Sequence, residues 1–260
     1  MDSFKLSTKE KDDKVRVLGV GPNGAGKTVG FASWPGKTLI FDFDKRYAPL
    51  IDWLPDRLDD ITIQPVSANR YWEDFHAKIN DLADYNQYDN IIIDSITSLS
   101  IATVVMQMMV RGDLRVTSAE MAKNKGGDKL GVKFTKGGVS IPGWDEINGE
   151  AMLITQMLEV LKSFNCNLFV NAHPIRREKE GSEYTSLVTF GPKVESMIPG
   201  YFDEIWYFDK RPSAQGDDIT RRVYPRPSMS YPNAKTAIKG MPPYVDFANL
   251  RLYDVMKPYL

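Results

Sequence analysis

Eight residues near the start of the chain restrict its fold more than anything else in it. Gly21-Pro22-Asn23-Gly24-Ala25-Gly26-Lys27-Thr28 satisfies G-x-x-x-x-G-K-[ST] in full. Such a run works as the turn between a strand and a helix. Its glycines let successive backbone N–H groups point inward, where they cradle phosphates. The flanks agree. Residues 15–20 form a short apolar run suited to a buried strand, and the helix after Thr28 must stop near Trp34, ahead of Pro35-Gly36. In this pattern Lys27 reaches the outer phosphates of ATP, and Thr28 turns its hydroxyl to Mg²⁺.

The rest of the chain supplies the partners of that unit. Residues 38–43 and 61–66 read as strands, as do residues 90–93, ending at Asp94, and residues 168–170, running into Asn171-Ala172-His173. Trp72, Phe75, Ile79 and Leu82 recur at helical spacing and predict an amphipathic helix over 71–82. Helices are also expected over 98–110, with Ser98 as N-cap, over 147–164 and over 249–259. Residues 203–208 and 220–224 are two strands with no helix between them. The reading is an α/β chain: a mainly parallel sheet flanked by helices, with an antiparallel edge. Residues 1–14 are a polar leader and residues 15–260 a single domain. Two polar excursions interrupt it, near 111–146 and 174–192.

Charge and composition exclude several classes. With 33 basic and 34 acidic residues the net charge is -1, so the chain is no polycation that coats nucleic acid indiscriminately. A single cysteine, Cys166, allows no internal disulfide, and with His76 and His173 it makes too few ligands for a zinc site. A reducing cytoplasm is the expected compartment. No apolar run approaches the ~18–20 residues of a membrane span, and no membrane partner is expected.

Three strand ends carry chemistry. Asp94 closes a buried parallel strand, where a carboxylate can hold the Mg²⁺ shell beside the phosphate loop. Asp42 and Asp44 stand at the end of the 38–43 strand, and either could polarise a water for attack on a γ-phosphate. His173 ends the next strand and can donate to a γ-phosphate oxygen.

In their order along the chain, GPNGAGKT, GKTLIFDFDKR, YDNIIIDSITSL, NLFVNAHPIRR and FDEIWYF resemble the RecA-like P-loop ATPase core. Among such proteins the chain is most similar to the compact phage ATPases of the Sak single-strand annealing family. PNAKTAIKGMPPYVDF also looks like that family's C-terminal segment. The resemblance places the catalytic group at Asp44, where relatives carry a glutamate, and the γ-phosphate sensor at His173, with Asn171 as the runner-up. It places Lys235 on the nucleotide of a neighbouring subunit. Relatives often follow that lysine with an arginine two residues on; here the residue is Ala237, and Lys239 is the nearest substitute.

The two excursions fall where RecA-like proteins carry DNA-binding loops. Lys123 and Lys125 in the first, with Lys129, Lys133, Lys136 and Phe134, and Arg176, Arg177 and Lys179 in the second, suit a phosphate backbone and stacked bases. The expectation is an ATPase that binds single-stranded DNA, assembles into a ring or filament with ATP·Mg²⁺ between subunits, and promotes annealing or strand pairing in recombination, in the host-cell cytoplasm if phage-encoded. The rivals are a small-molecule kinase, with Arg176-Arg177 as a thin phosphate lid, and a nucleotide-dependent scaffold with little turnover.

Overall fold

The computed structural model describes residues 14–67, 70–110, 133–134, 140–142, 144–179, 182–212, 219–247 and 249–260. Its centre is an eight-stranded sheet. Strands β1 (Arg16–Val20), β2 (Thr38–Asp42), β3 (Ile61–Pro65), β4 (Asn90–Asp94), β7 (Asn167–Ala172) and β10 (Glu204–Pro212) run parallel in the order β10-β1-β7-β4-β2-β3. Strand β11 (Ile219–Tyr224) pairs antiparallel with β10, as the late pair of strands predicts, and β12 (Val245–Asp246), which the sequence reading does not include, extends that edge antiparallel.

Both faces are covered, and the apolar runs alternate between them. Ile91 and Ile93 enter one core, with α3 (Ala77–Asp84), α4 (Ile96–Val110) and α5 (Trp144–Lys162) above them. Ile92 enters the other, under α1 (Lys27–Ala32), α2 (Ala48–Trp53) and α7 (Leu252–Met256). Phe31 fixes α1 to the sheet: its ring stacks on Phe169 at 4.7 Å and meets Phe208 edge-on at 5.3 Å. That contact sets where the phosphate loop sits.

Several local expectations change. Residues 71–82 divide into a π-helical turn, Trp72–His76, followed by α3. Helix α4 starts two residues before Ser98, and Ser95 Oγ accepts the Ser98 backbone N–H at 3.3 Å, so the cap is Ser95. The C-terminal helix is only α7; the residues before it form a turn with Leu250 at φ 55°. The 174–192 excursion is an antiparallel hairpin, β8 (Pro174–Lys179) with β9 (Ser182–Leu187), followed by α6 (Pro192–Met197). Within the 111–146 excursion the described residues include one short antiparallel pair, β5 (Lys133–Phe134) with β6 (Ser140–Ile141), and the first turn of α5. Lys123, Lys125, Lys129 and Lys136 lie outside the described residues.

Candidate nucleotide site

Register brings the strand ends together. Val20 pairs with Ala172, and Asp42 pairs with Asp94, so the carboxyl ends of β1, β7, β4 and β2 form one ledge. The phosphate loop leaves β1 on that ledge. Gly24 and Gly26 hold φ of 76° and 88°, the left-handed region that turns their N–H groups inward. Lys27 opens α1 and folds its ammonium back onto the loop, donating to the carbonyls of Gly21 (2.5 Å) and Pro22 (3.1 Å). Burial pushes it down to about 8, against the pull of Asp94 and Asp44.

Thr28 Oγ1 donates to Asp94 Oδ2 at 2.6 Å. Asn171 Nδ2 reaches both, at 2.9 Å to Asp94 Oδ1 and 3.1 Å to Thr28 Oγ1. Burial raises the Asp94 carboxyl, the Thr28 and Asn171 hydrogen bonds oppose that, and the charge of Asp44 adds to it.

Asp42 and Asp44 part company. Strand β2 ends at Asp42, and the N–H groups of Phe43 and Asp44 both turn to the Asp94 carbonyl, at 2.7 and 3.2 Å. Asp42 is buried; one of its oxygens accepts the Arg46 N–H and the other has no hydrogen-bond partner. Burial lifts its carboxyl. Asp44 instead lines the cleft. Its Oδ2 lies 2.9 Å from His173 Nε2, and its Oδ1 accepts from the hydroxyls of Ser98 and, at 3.2 Å, Ser95. Burial drives the Asp44 carboxyl up, but these donors outweigh it and hold it below the usual range.

The cleft holds about 250 Å³. Its walls also contain Arg46, at the end of the GKTLIFDFDKR run, and three residues that no local motif marks: Trp53, Arg221 and Leu250. Two of them, Arg46 and Arg221, are cations of the same chain. Arg221 arrives because β11 pairs with β10, which flanks β1. Leu250 arrives because the C-terminal turn packs onto the loop: a methyl group on Gly26 would meet its side chain at 2.4 Å.

A family model described as an AAA domain matches residues 13–235. The chain belongs to the AAA domain family. Its sheet, loop and antiparallel edge make this AAA domain a RecA-like P-loop ATPase fold. A structural comparison finds a KaiC-like protein from the hyperthermophilic archaeon Pyrococcus horikoshii OT3, with 13% identity over 81% of this chain and 77% of that one and a TM-score of 0.38. No curated protein matches.

The AAA domain's oxygen donors fit Mg²⁺ in one specific manner. Among the described residues no group of three or more His, Cys, Asp or Glu side chains could enclose a metal ion. Mg²⁺ is commonly held by one or two carboxylates, with substrate phosphates and water completing its shell. Thr28 and Asp94 would supply the protein's share, and the metal would neutralise phosphate charge.

The remaining predicted residues are dispersed. Arg176 is exposed on β8, its side chain 86% accessible, and Lys179 ends the same strand. Arg177 is paired with Glu195 at 2.5 Å. Lys235 does not line its own chain's nucleotide cleft: it pairs with Ile205 across the sheet and donates its ammonium to the Phe202 carbonyl at 2.8 Å. With Arg177 it borders a separate cavity of about 740 Å³. No helix among the described residues is long and apolar enough to cross a membrane.

Proposed function

We propose that the chain is an ATP-dependent single-stranded DNA-binding protein of the compact, Sak-like kind, which hydrolyses ATP at a subunit interface and promotes annealing or strand pairing. One observation carries the reading. His173 joins the candidate water-activating group to the foot of a basic hairpin. Its ring meets Asp44, while its backbone N–H donates to Thr97 Oγ1 and its carbonyl accepts the Val188 N–H. Thr97 Oγ1 in turn donates to the Val188 carbonyl. The segment between His173 and Val188 is the β8–β9 hairpin with Arg176, Arg177 and Lys179.

In this reading the phosphate loop, Thr28 and Asp94 hold ATP·Mg²⁺, Asp44 orients the attacking water, and His173 responds to the γ-phosphate. Loss of that phosphate shifts His173 and with it the hairpin. A kinase lid would need Arg177 free to close on phosphates, whereas Arg177 is held by Glu195. The test is binding of a single-stranded oligonucleotide with ATP, ADP or no nucleotide. Salt-sensitive affinity that differs between these states is expected. The same affinity in all three, or no binding in any, overturns the reading.

A further inference from the structure

We infer that Trp53 and Arg221 form a clamp for the purine ring of the bound nucleotide, gripping its faces rather than reading its edge. The inference rests on the nucleotide-binding reading above and assigns the part of the cleft that the phosphate loop leaves open.

The cleft is lined by two chemically different groups of residues. One is the loop with Lys27, Thr28 and Asp94. The other is Trp53, Pro49, Leu50, Leu250 and Arg221, of which Leu250 and Arg221 also lie against the loop. Trp53 ends helix α2, and its neighbours Leu50 and Leu54 are 3% and 0% exposed, so that end of the helix is anchored. Trp53 itself is 42% exposed. A large indole left open beside a phosphate-binding loop is a surface that a flat ligand ring can cover.

Arg221 stands opposite. Its guanidinium carbon lies 5.6 Å from the centre of the Trp53 ring, and its Nε donates to the Gly24 carbonyl at 3.3 Å. Its stem lies against the loop as well: a methyl group on Gly26 would come within 3.1 Å of Arg221 Cδ. The phosphate loop therefore fixes one plate of the clamp, and α2 presents the other. A guanidinium and an indole are both flat and both stack on aromatic rings, and a purine laid over them, or entering between them as Arg221 swings off the indole, trades one cation–π contact for stacking on either plate.

This mode of recognition has a consequence for selectivity. Every purine has a π-face, and stacking on it is tolerant of ring substituents. Tight discrimination requires polar groups matched to a substituent; the side chains of Pro49, Leu50 and Leu250 carry none, the indole of Trp53 has its N–H on its edge rather than its face, and Arg221 Nε is already engaged by the Gly24 carbonyl. The clamp should hold adenine and guanine alike.

The experiment compares Mg²⁺ complexes of ATP, GTP and inorganic tripolyphosphate by calorimetry on the full chain, for the wild type, Trp53→Ala, Trp53→Phe, Arg221→Ala and Lys27→Ala. The clamp predicts that Trp53→Ala weakens ATP and GTP about tenfold and leaves tripolyphosphate within about twofold. Trp53→Phe recovers most of the loss, and Arg221→Ala weakens the nucleotides more than tripolyphosphate. Wild-type affinities for ATP and GTP should agree within about threefold. Lys27→Ala must weaken all three ligands, since it removes a phosphate contact; failure there overturns the nucleotide reading and the clamp together. Equal losses of ATP and tripolyphosphate in Trp53→Ala, or no loss of either, overturn the clamp alone. A preference above about tenfold for one purine overturns face-reading. Trp53→Ala removes a partly exposed side chain, and its thermal melt reports whether the fold survives.

Discussion

His173 Nε2 lies 2.9 Å from Asp44 Oδ2, joining residues at the ends of two strands that are separated in the sheet by β4. Neither residue is placed by its own strand alone. Asp44 is positioned by backbone bonds to the Asp94 carbonyl, and His173 by Thr97 and Val188. The pair therefore registers the relative position of three strand ends and the first turn of α4.

That pairing makes a kinetic prediction. Asp44→Asn keeps the shape and removes the base, so ATP binding should persist while hydrolysis falls about 10²-fold or more. His173→Asn should also slow turnover, and the double variant should be little worse than the worse single one, because the two act as a unit. Steady-state hydrolysis of all three, beside ATP affinity measured separately, checks this. Normal turnover in Asp44→Asn would move the water-activating role to another group.

The hairpin supplies a second prediction, and the structure ranks its two arginines. Arg176 is largely free in solvent, with only a 3.9 Å approach to Glu183, whereas Arg177 is engaged by Glu195. An arginine already neutralised releases fewer counterions from a nucleic acid. Arg176→Gln should flatten the plot of log affinity for single-stranded DNA against log salt by about 0.7, and Arg177→Gln by less. A larger effect at Arg177 would show that its pairing with Glu195 breaks on binding.

Much of this site is legible in the sequence, and the boundary has a physical cause. The phosphate loop and the run Ile91–Ile93 before Asp94 are local signals: a glycine pattern fixes backbone torsion, and continuous burial on both faces demands continuous apolar residues. Asp44 and His173 are likewise marked by strand ends. Trp53 is not. Helix α2 is six residues long, begins Ala48-Pro49 and buries only Leu50, so it has no period to detect. Arg221 and Leu250 reach the loop only through strand order, which sets β10 and β11 beside β1 and brings the C-terminal turn with them. Arg176, Arg177 and Glu178 lie on a hairpin that stands off the main sheet; with those side chains facing solvent or an ion-pair partner, β8 lacks the alternation that announces a strand.

A third prediction concerns stability. Glu150 on α5 is fully buried against α4, where Ser100 donates to one of its oxygens. Burial lifts its carboxyl from 4.5 to about 6. The folded state therefore holds this proton more tightly than the unfolded chain does. The associated stability is full below about pH 4.5 and is lost as pH rises through 6. Glu150→Gln removes the charge that must otherwise be buried at higher pH. It should stabilise the protein at pH 8 by about 2 kcal/mol and have little effect near pH 4. Chemical denaturation at both pH values tests it; an equal effect at the two would remove the carboxyl as the cause.

The last prediction concerns assembly. Arg46 and Arg221 line the cleft from within the chain, yet Lys235 lies outside it, so any action of Lys235 on a phosphate must be on a neighbour's nucleotide. Its ammonium is held by one neutral acceptor, the Phe202 carbonyl, a bond that a nearby triphosphate can outcompete because its anionic oxygens add the attraction of opposite charges. Phosphoryl transfer stabilised by a cation in trans can gain 10³-fold or more in some systems. Lys235→Ala should therefore leave ATP affinity near the wild-type value and reduce turnover about 10²-fold or more. Lys27→Ala should be inactive for the opposite reason, with its own site empty and its Lys235 intact. Mixed, the two should regain activity, because an interface between the phosphate loop of one and the lysine of the other contains both halves. Specific activity of the wild type should also rise with protein concentration until assembly is complete. A mixture no more active than its parts, together with activity per molecule independent of concentration, would place the whole reaction within one chain and leave Lys235 as a tie between the sheet edge and the start of β10.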